Sequence, residues 1–303
     1  MRLDNVLLLK NLDQSLKNKM KSLTQHITEK LVLNSNTKIR KQEHNYHPKT
    51  TDALKELIKQ LLEERGPNAN LNDIDTSEIV AMHDLFQYQN IENIDISEWD
   101  VSNVITMNRM FFNNNKFDCD LSNWDVSNVI EMDSMFMDCD NFKGKGLKNW
   151  NTKKVRTMEY MFCACNKFEE DISDWDVSSC KDFKHMFADV VCFNQPIGKW
   201  DVSAATDFSC MLKGCEEFDQ DLSNWKFNKD IEKMVAMFKN CEKFRGKGLQ
   251  NWNIPNVLDC TRMFEGCKSL EIENVKNMKL HHNTVKYEMF RNSSIDKKQL
   301  GLL

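Results

Sequence analysis

The sequence predicts an α/β solenoid of about eight units of ~25 residues, each a short strand plus a helix, closed at its N-terminal end by a helical cap. Three registered series carry this expectation. Trp99, Trp124, Trp150, Trp175, Trp200, Trp225 and Trp252 follow one another at gaps of 25, 26, 25, 25, 25 and 27. A Met-Phe pair, Met-Leu at Met211, recurs beside them, with its methionines at Met110, Met135, Met161, Met186, Met211, Met237, Met263 and Met289. Phe117, Phe142, Phe168, Phe193, Phe218 and Phe244 form the third series.

Residues 1–46 come first, an amphipathic helix and a linker. Leu9, Leu12, Leu16, Met20, Leu23 and Ile27 make one helical stripe over residues 3–32. Residues 1–50 hold ten Lys or Arg against four Asp or Glu. That stripe suits packing on the solenoid or self-association, with a membrane-surface or partner-docking helix as the sharper alternative. Residues 47–70 read as a capping helix. Thr50 or Thr51 starts it, Leu54, Leu57, Ile58, Leu61 and Leu62 form its apolar face, and Gly66-Pro67 ends it. The repeats occupy residues 71–290, the first of them degenerate, and residues 291–303 are a C-terminal tail.

One unit is LSNWDVSNVIEMDSMFMDCDNF, residues 121–142. Leu121, Trp124 and Val126 suit a short strand or extended corner. Val129, Met132, Met135, Phe136 and Cys139 are spaced like one face of a helix, with Ser127 as its N-cap. A single unit cannot cover this face, so stacking must, and each series becomes a buried ladder. Cys139, Cys165, Cys215, Cys241 and Cys267 each stand four residues after a ladder methionine. They read as small inward fillers, all thiols. The chain has no C-x-x-C pair, and 11 cysteines is an odd number, so a reducing, cytoplasmic home is expected.

No catalytic constellation and no cofactor or metal motif emerges. The chain carries a net charge of −5, which disfavours nucleic acid, and has no apolar run long enough to span a membrane. No secretory leader is expected from MRLDNVLLLKNLDQ. His83 and His185 lie roughly four units apart, and His281-His282 reads as a solvated turn. The GKG turns at 144–146 and 246–248 read as loop variation, with anion binding the sharper alternative. Asp100, Asp125, Asp176 and Asp201, each directly after a tryptophan, form a regular acidic row. It reads as turn-capping carboxylates that also offer a face to basic partners.

The unit D-L-S-N-W-D-V-S-N-V-x-x-M-x-x-M-F-x-x-C-x-x-F resembles the BspA-like leucine-rich-repeat family, over roughly residues 47–290. The resemblance implies a right-handed leucine-rich-repeat-like solenoid and a role in protein binding. In some members of that family, common among bacterial surface proteins, the role is adhesion to host proteins. The function expected here is a non-catalytic protein–protein interaction module inside the cell. The alternative is a bacterial cell-surface or secreted adhesin that binds host proteins.

Overall fold

The structure, a computed structural model, describes residues 44–231 and 233–296. The helix expected over residues 3–32 lies outside the described residues, as does the tail from 297 onward.

Helix α1 (Thr51–Arg65) opens the fold. Thr50 is its N-cap: the residue is extended, and its hydroxyl accepts from the Ala53 amide at 3.2 Å. Gly66, at φ 80°, ends the helix and donates its amide to the Leu62 carbonyl. Leu54, Ile58 and Leu61 are buried and belong to the core. Thr51 ties α1 to the first repeat by donating to the Ala81 carbonyl at 2.7 Å. Asn45 and Tyr46, assigned to a linker from sequence, also belong to the fold, for Tyr46 bridges to Ile74 in parallel.

The repeats stack on one another in register. Parallel single-residue bridges run from Ala81 to Thr106, Glu131, Thr157, Asp182, Asp207, Lys233, Asp259 and Val285. Regular secondary structure within the units is sparse, and this corrects the expectation of a strand plus a helix in each. Among the described residues the strands are β1 (Asn253–Ile254) and β2 (Lys279–Leu280), two residues each and paired in parallel. A short helix α2 (Ile272–Val275) precedes β2. Elsewhere the units are built from turns and single bridges, plus three-residue 3-10 turns such as Leu147–Asn149.

The hydrogen bonds explain the misreading. In residues 121–142, amide-to-carbonyl bonds join Trp124 to Leu121, Val129 to Val126, Met135 to Met132, Cys139 to Phe136 and Phe142 to Cys139. Each apolar residue thus closes a turn begun by the apolar residue three before it. A spacing of three therefore marks serial β-turns here, not helical faces. The chain is reset between turns by left-handed residues, Ser134 at φ 55° and Asp138 at φ 59°. The same two positions are left-handed in other units, for example Arg109 with Asn113 and Tyr160 with Ala164. Ser127 caps no helix; its amide donates to the Asp125 carboxylate at 3.0 Å.

Left-handed conformation costs about 1–2 kcal/mol at each non-glycine residue. The offset comes from bonds between units. Met107, Arg109, Phe111 and Asn113 donate amides to the carbonyls of Glu131, Asp133, Met135 and Met137 in the next unit, at 2.8–3.0 Å. At about 0.5–1.5 kcal/mol net for each bond, four of them balance two left-handed residues. The pattern repeats at every level, so the Met-Phe peptide groups form one hydrogen-bonded chain. It runs from Phe86 through Phe111, Phe136, Phe162, Phe187, Leu212, Phe238 and Phe264 to the Met289 carbonyl.

The side chains form equally regular columns. Phe86, Phe111, Phe136, Phe162 and Phe187 stack at 5.4–5.7 Å with interplanar angles of 2–7°. Met110, Met135, Met161, Met186, Met211, Met237 and Met263 are fully buried beside them. Trp124, Trp150 and Trp175 stack at 6.4 Å with rings within 5° of parallel.

Candidate functional site

The sequence singles out two groups of residues, the buried ladder and the acidic row, and the structure puts them in opposite environments. All seven tryptophans are 1–4% exposed. Every indole donates its Nε1 hydrogen to a carbonyl of the preceding unit. Trp99 reaches Leu71, Trp124 reaches Ile96, Trp150 reaches Leu121 and Trp175 reaches Leu147, at 2.8–3.3 Å. Trp200, Trp225 and Trp252 bond Ile172, Ile197 and Leu222 in the same way at 3.0–3.2 Å. The acceptor already closes its own turn, as Leu121 does for the Trp124 amide. The indole therefore satisfies the second lone pair of a buried carbonyl while filling the core.

The ladder cysteines do more than fill space. Cys139, Cys165, Cys215, Cys241 and Cys267 point their thiols at the carbonyls of Phe111, Phe136, Phe187, Leu212 and Phe238 at 2.8–3.1 Å. Burial drives the thiol pKa of Cys165, Cys215 and Cys241 well above the ordinary value, and pushes that of Cys267 up to about 12. These groups are held as neutral donors, unsuited to nucleophilic or metal chemistry. Sequence reasoning missed this role, although the signal was present: Asn114, an amide donor, holds the same position one unit before Cys139 and bonds the Phe86 carbonyl at 2.7 Å. The 11 cysteines are all free.

Asp100, Asp125, Asp176 and Asp201 are exposed at the corner beside the tryptophans. In each, Oδ1 accepts the amide of the serine two residues on, at 3.0–3.1 Å. Bonds from Ser127 and Ser178 hold the carboxyls of Asp125 and Asp176 below the usual carboxylate range. Oδ2 of all four has no hydrogen-bond partner among the described residues. One oxygen thus fixes the exposed side chain and the other is left without a partner among the described residues. Asn151 interrupts the row between Asp125 and Asp176.

The other polar candidates are absorbed by packing. Lys145 and Lys247, in the GKG turns, pair with Asp120 and Asp221 of the preceding unit at 2.8 and 2.9 Å. Gly146 sits at φ 97°, and a Cβ there would lie 2.3 Å from the Ser122 amide nitrogen. That turn uses glycine for close approach between units, and its lysine is taken by a carboxylate, so it is no anion cradle. His185 stacks on Tyr160 at 4.4 Å, and His281 lies against His282. No group of three or more His, Cys, Asp or Glu side chains that could hold a metal exists among the described residues. No helix among them is long and apolar enough to cross a membrane.

Fold and site together define a repeat protein whose recurring apolar side chains build a core and whose regular exposed groups lie along one corner. The chain belongs to the family described as Mycoplasma protein of unknown function, DUF285, which matches residues 54–146, 130–247 and 228–301. No curated protein and no solved structure gave a match.

Proposed function

We propose that the chain is a non-catalytic protein-binding module, a right-handed repeat solenoid of the BspA-like leucine-rich-repeat kind that acts in a reducing compartment. One observation carries the reading. Asp100, Asp125, Asp176 and Asp201 repeat at a fixed place, each immobilised through Oδ1 and open at Oδ2. A row of pre-oriented carboxylates loses little side-chain freedom on binding, and it suits a basic protein surface. The free, deeply buried ladder thiols favour the reducing compartment over the surface of a cell.

Cross-linking in native host extract, followed by mass spectrometry, tests the reading. The wild-type chain should yield a partner cross-linked near the acidic corner. A variant carrying Asp100→Asn, Asp125→Asn, Asp176→Asn and Asp201→Asn should lose it while its unfolding midpoint at neutral pH falls only slightly. A partner retained in full by that variant, or turnover of a substrate by the purified chain, would contradict the proposal.

A further inference from the structure

On one side of the stack, four columns of backbone bonds between units run in one direction, beside a single column that runs the other way, as from Ile105 to Val80 and from Ile130 to Ile105. The four columns, followed through Met82, Asp84, Phe86 and Tyr88 at their first level, donate amides toward the C-terminal end at eight successive levels each. They end where Cys260, Arg262, Phe264 and Gly266 donate to the carbonyls of Val285, Tyr287, Met289 and Arg291. The next amides in register belong to Lys286, Glu288, Phe290 and Asn292, and none has an acceptor among the described residues. The peptide dipoles of these four columns leave their positive ends at this face, as at the start of a helix.

A second feature coincides with these donors. A cavity of about 220 Å3 opens among Val275, Met278, Leu280, Met289 and Phe290, lined also by Lys286 and by Lys276, which pairs with Glu273. Lys286 has no ion-pair partner among the described residues. Val285 and Tyr287 beside it are 51% and 61% exposed. Alternate amide donors, an apolar cavity and positive charge therefore share one surface.

We infer that this C-terminal face docks an acidic peptide segment that presents backbone carbonyls at alternate residues and a bulky apolar side chain to the cavity. Hydrogen-bond polarity selects this occupant over a second copy. Two C-terminal faces would set donors against donors. The acceptor face at the other end of the stack is covered by α1, whose Thr51 already bonds the Ala81 carbonyl. What satisfies the same donors at every internal level is a following unit, such as residues 121–142, which offers the carbonyls of Glu131, Asp133, Met135 and Met137. That segment contains five Asp or Glu and no Lys or Arg. The inference goes beyond the acidic-corner reading, uses a different surface, and stands or falls separately.

The test is hydrogen exchange on the full chain, alone and with a synthetic peptide of residues 121–142. In the free chain the amides of Lys286, Glu288, Phe290 and Asn292 should exchange much faster than those of Cys260, Arg262, Phe264 and Gly266. The peptide should slow the first set selectively. Lys286→Glu should weaken peptide binding by about fivefold or more, since the charge lies at the rim of the contact. A peptide with Met135→Asn and Phe136→Asn should not bind. Protection of the four amides in the free chain would mean that the chain itself or a second copy occupies the face, and would overturn the inference. Equal binding of a scrambled peptide, or no slowing at these amides, would overturn it as well.

Discussion

The indole of Trp175 donates to the carbonyl of Leu147 at 2.8 Å, and that same carbonyl accepts the amide of Trp150 within its own turn. One oxygen thus joins two consecutive units through two different tryptophans. Trp175→Ala should cost about 3–5 kcal/mol, because it opens a cavity and leaves a buried lone pair unmatched. Trp175→Phe retains much of the aromatic surface and loses the donor and part of the ring volume, so its loss should be smaller. Denaturant melts of the two variants measure the difference; equal, mild losses would remove the indole from the core.

Cys165 and Val190 hold equivalent positions in neighbouring units. Cys165 donates to the Phe136 carbonyl at 2.8 Å, whereas Val190 has nothing to donate to the Phe162 carbonyl. Cys165→Ala should destabilise the chain by about 1–2 kcal/mol through the lost donor and sulfur. Val190→Cys should be neutral or stabilising. Thermal melts decide the point, and a large loss in Val190→Cys would show that the thiol donor is unimportant.

Thiol reagents should sort the cysteines by depth. Cys192 and Cys210 are half-buried and burial raises their pKa values, while the ladder thiols are fully buried and theirs are driven well above the ordinary value. A native sample at mildly alkaline pH should therefore react at Cys192 and Cys210 first, and at the ladder cysteines only in denaturant. Labelling followed by peptide mapping reads this directly; early modification of Cys165 or Cys241 would contradict the buried column.

Gly146 and Gly66 both have positive φ, but their surroundings differ. A Cβ on Gly146 would meet the Ser122 backbone at 2.3 Å, whereas nothing lies within 4 Å of one on Gly66. Gly66→Ala should cost about 1–2 kcal/mol for conformation alone. Gly146→Ala should add a clash of about 1–3 kcal/mol to a similar conformational cost. Matching melts of the two variants would rule out close approach at the GKG turn.

Acid should loosen the corners. Bonds from Ser77 hold the Asp75 carboxyl down to about 2, and Lys247 followed by Ser223 does the same for Asp221. A carboxylate whose folded pKa is depressed stabilises the fold above its unfolded pKa near 3.8, and that contribution is lost as pH falls through the folded value. Burial raises the pKa of Asp133 and Asp182, and those two act in the opposite sense. Stability should fall between about pH 4 and pH 2 as the corner carboxylates protonate. Asp75→Asn should make that fall shallower; an unchanged slope would contradict the assignment.

The period, the inward placement of Trp124, Met135 and Phe142, and the helix α1 were legible in the sequence because burial repeats in register and because α1 carries its own cap and stop. The conformation of the unit was not. Met132, Met135 and Cys139 recur at spacings of three and four whether one helix or several turns connect them. The distinguishing residues, Ser134 and Asp138, are ordinary types whose left-handed conformation is imposed by the next unit. The acidic row was visible as a pattern, and its bonds to serine follow from the D-x-S spacing. The thiol donors were hinted at only by Asn114 in the cysteine position, and the unmatched amides of Lys286, Glu288, Phe290 and Asn292 were hidden, since they depend on which carbonyl lies one level away.

Hydrogen-bond scalar couplings measured by NMR on the deuterated chain test the central claim most directly. Serial turns joined level to level require a coupling from the Phe136 amide to the Met161 carbonyl, with counterparts from Phe111 to Met135 and from Phe162 to Met186. Couplings from Phe136 to Met132 instead, four residues back in the same unit, would establish helices in the repeats and contradict this account.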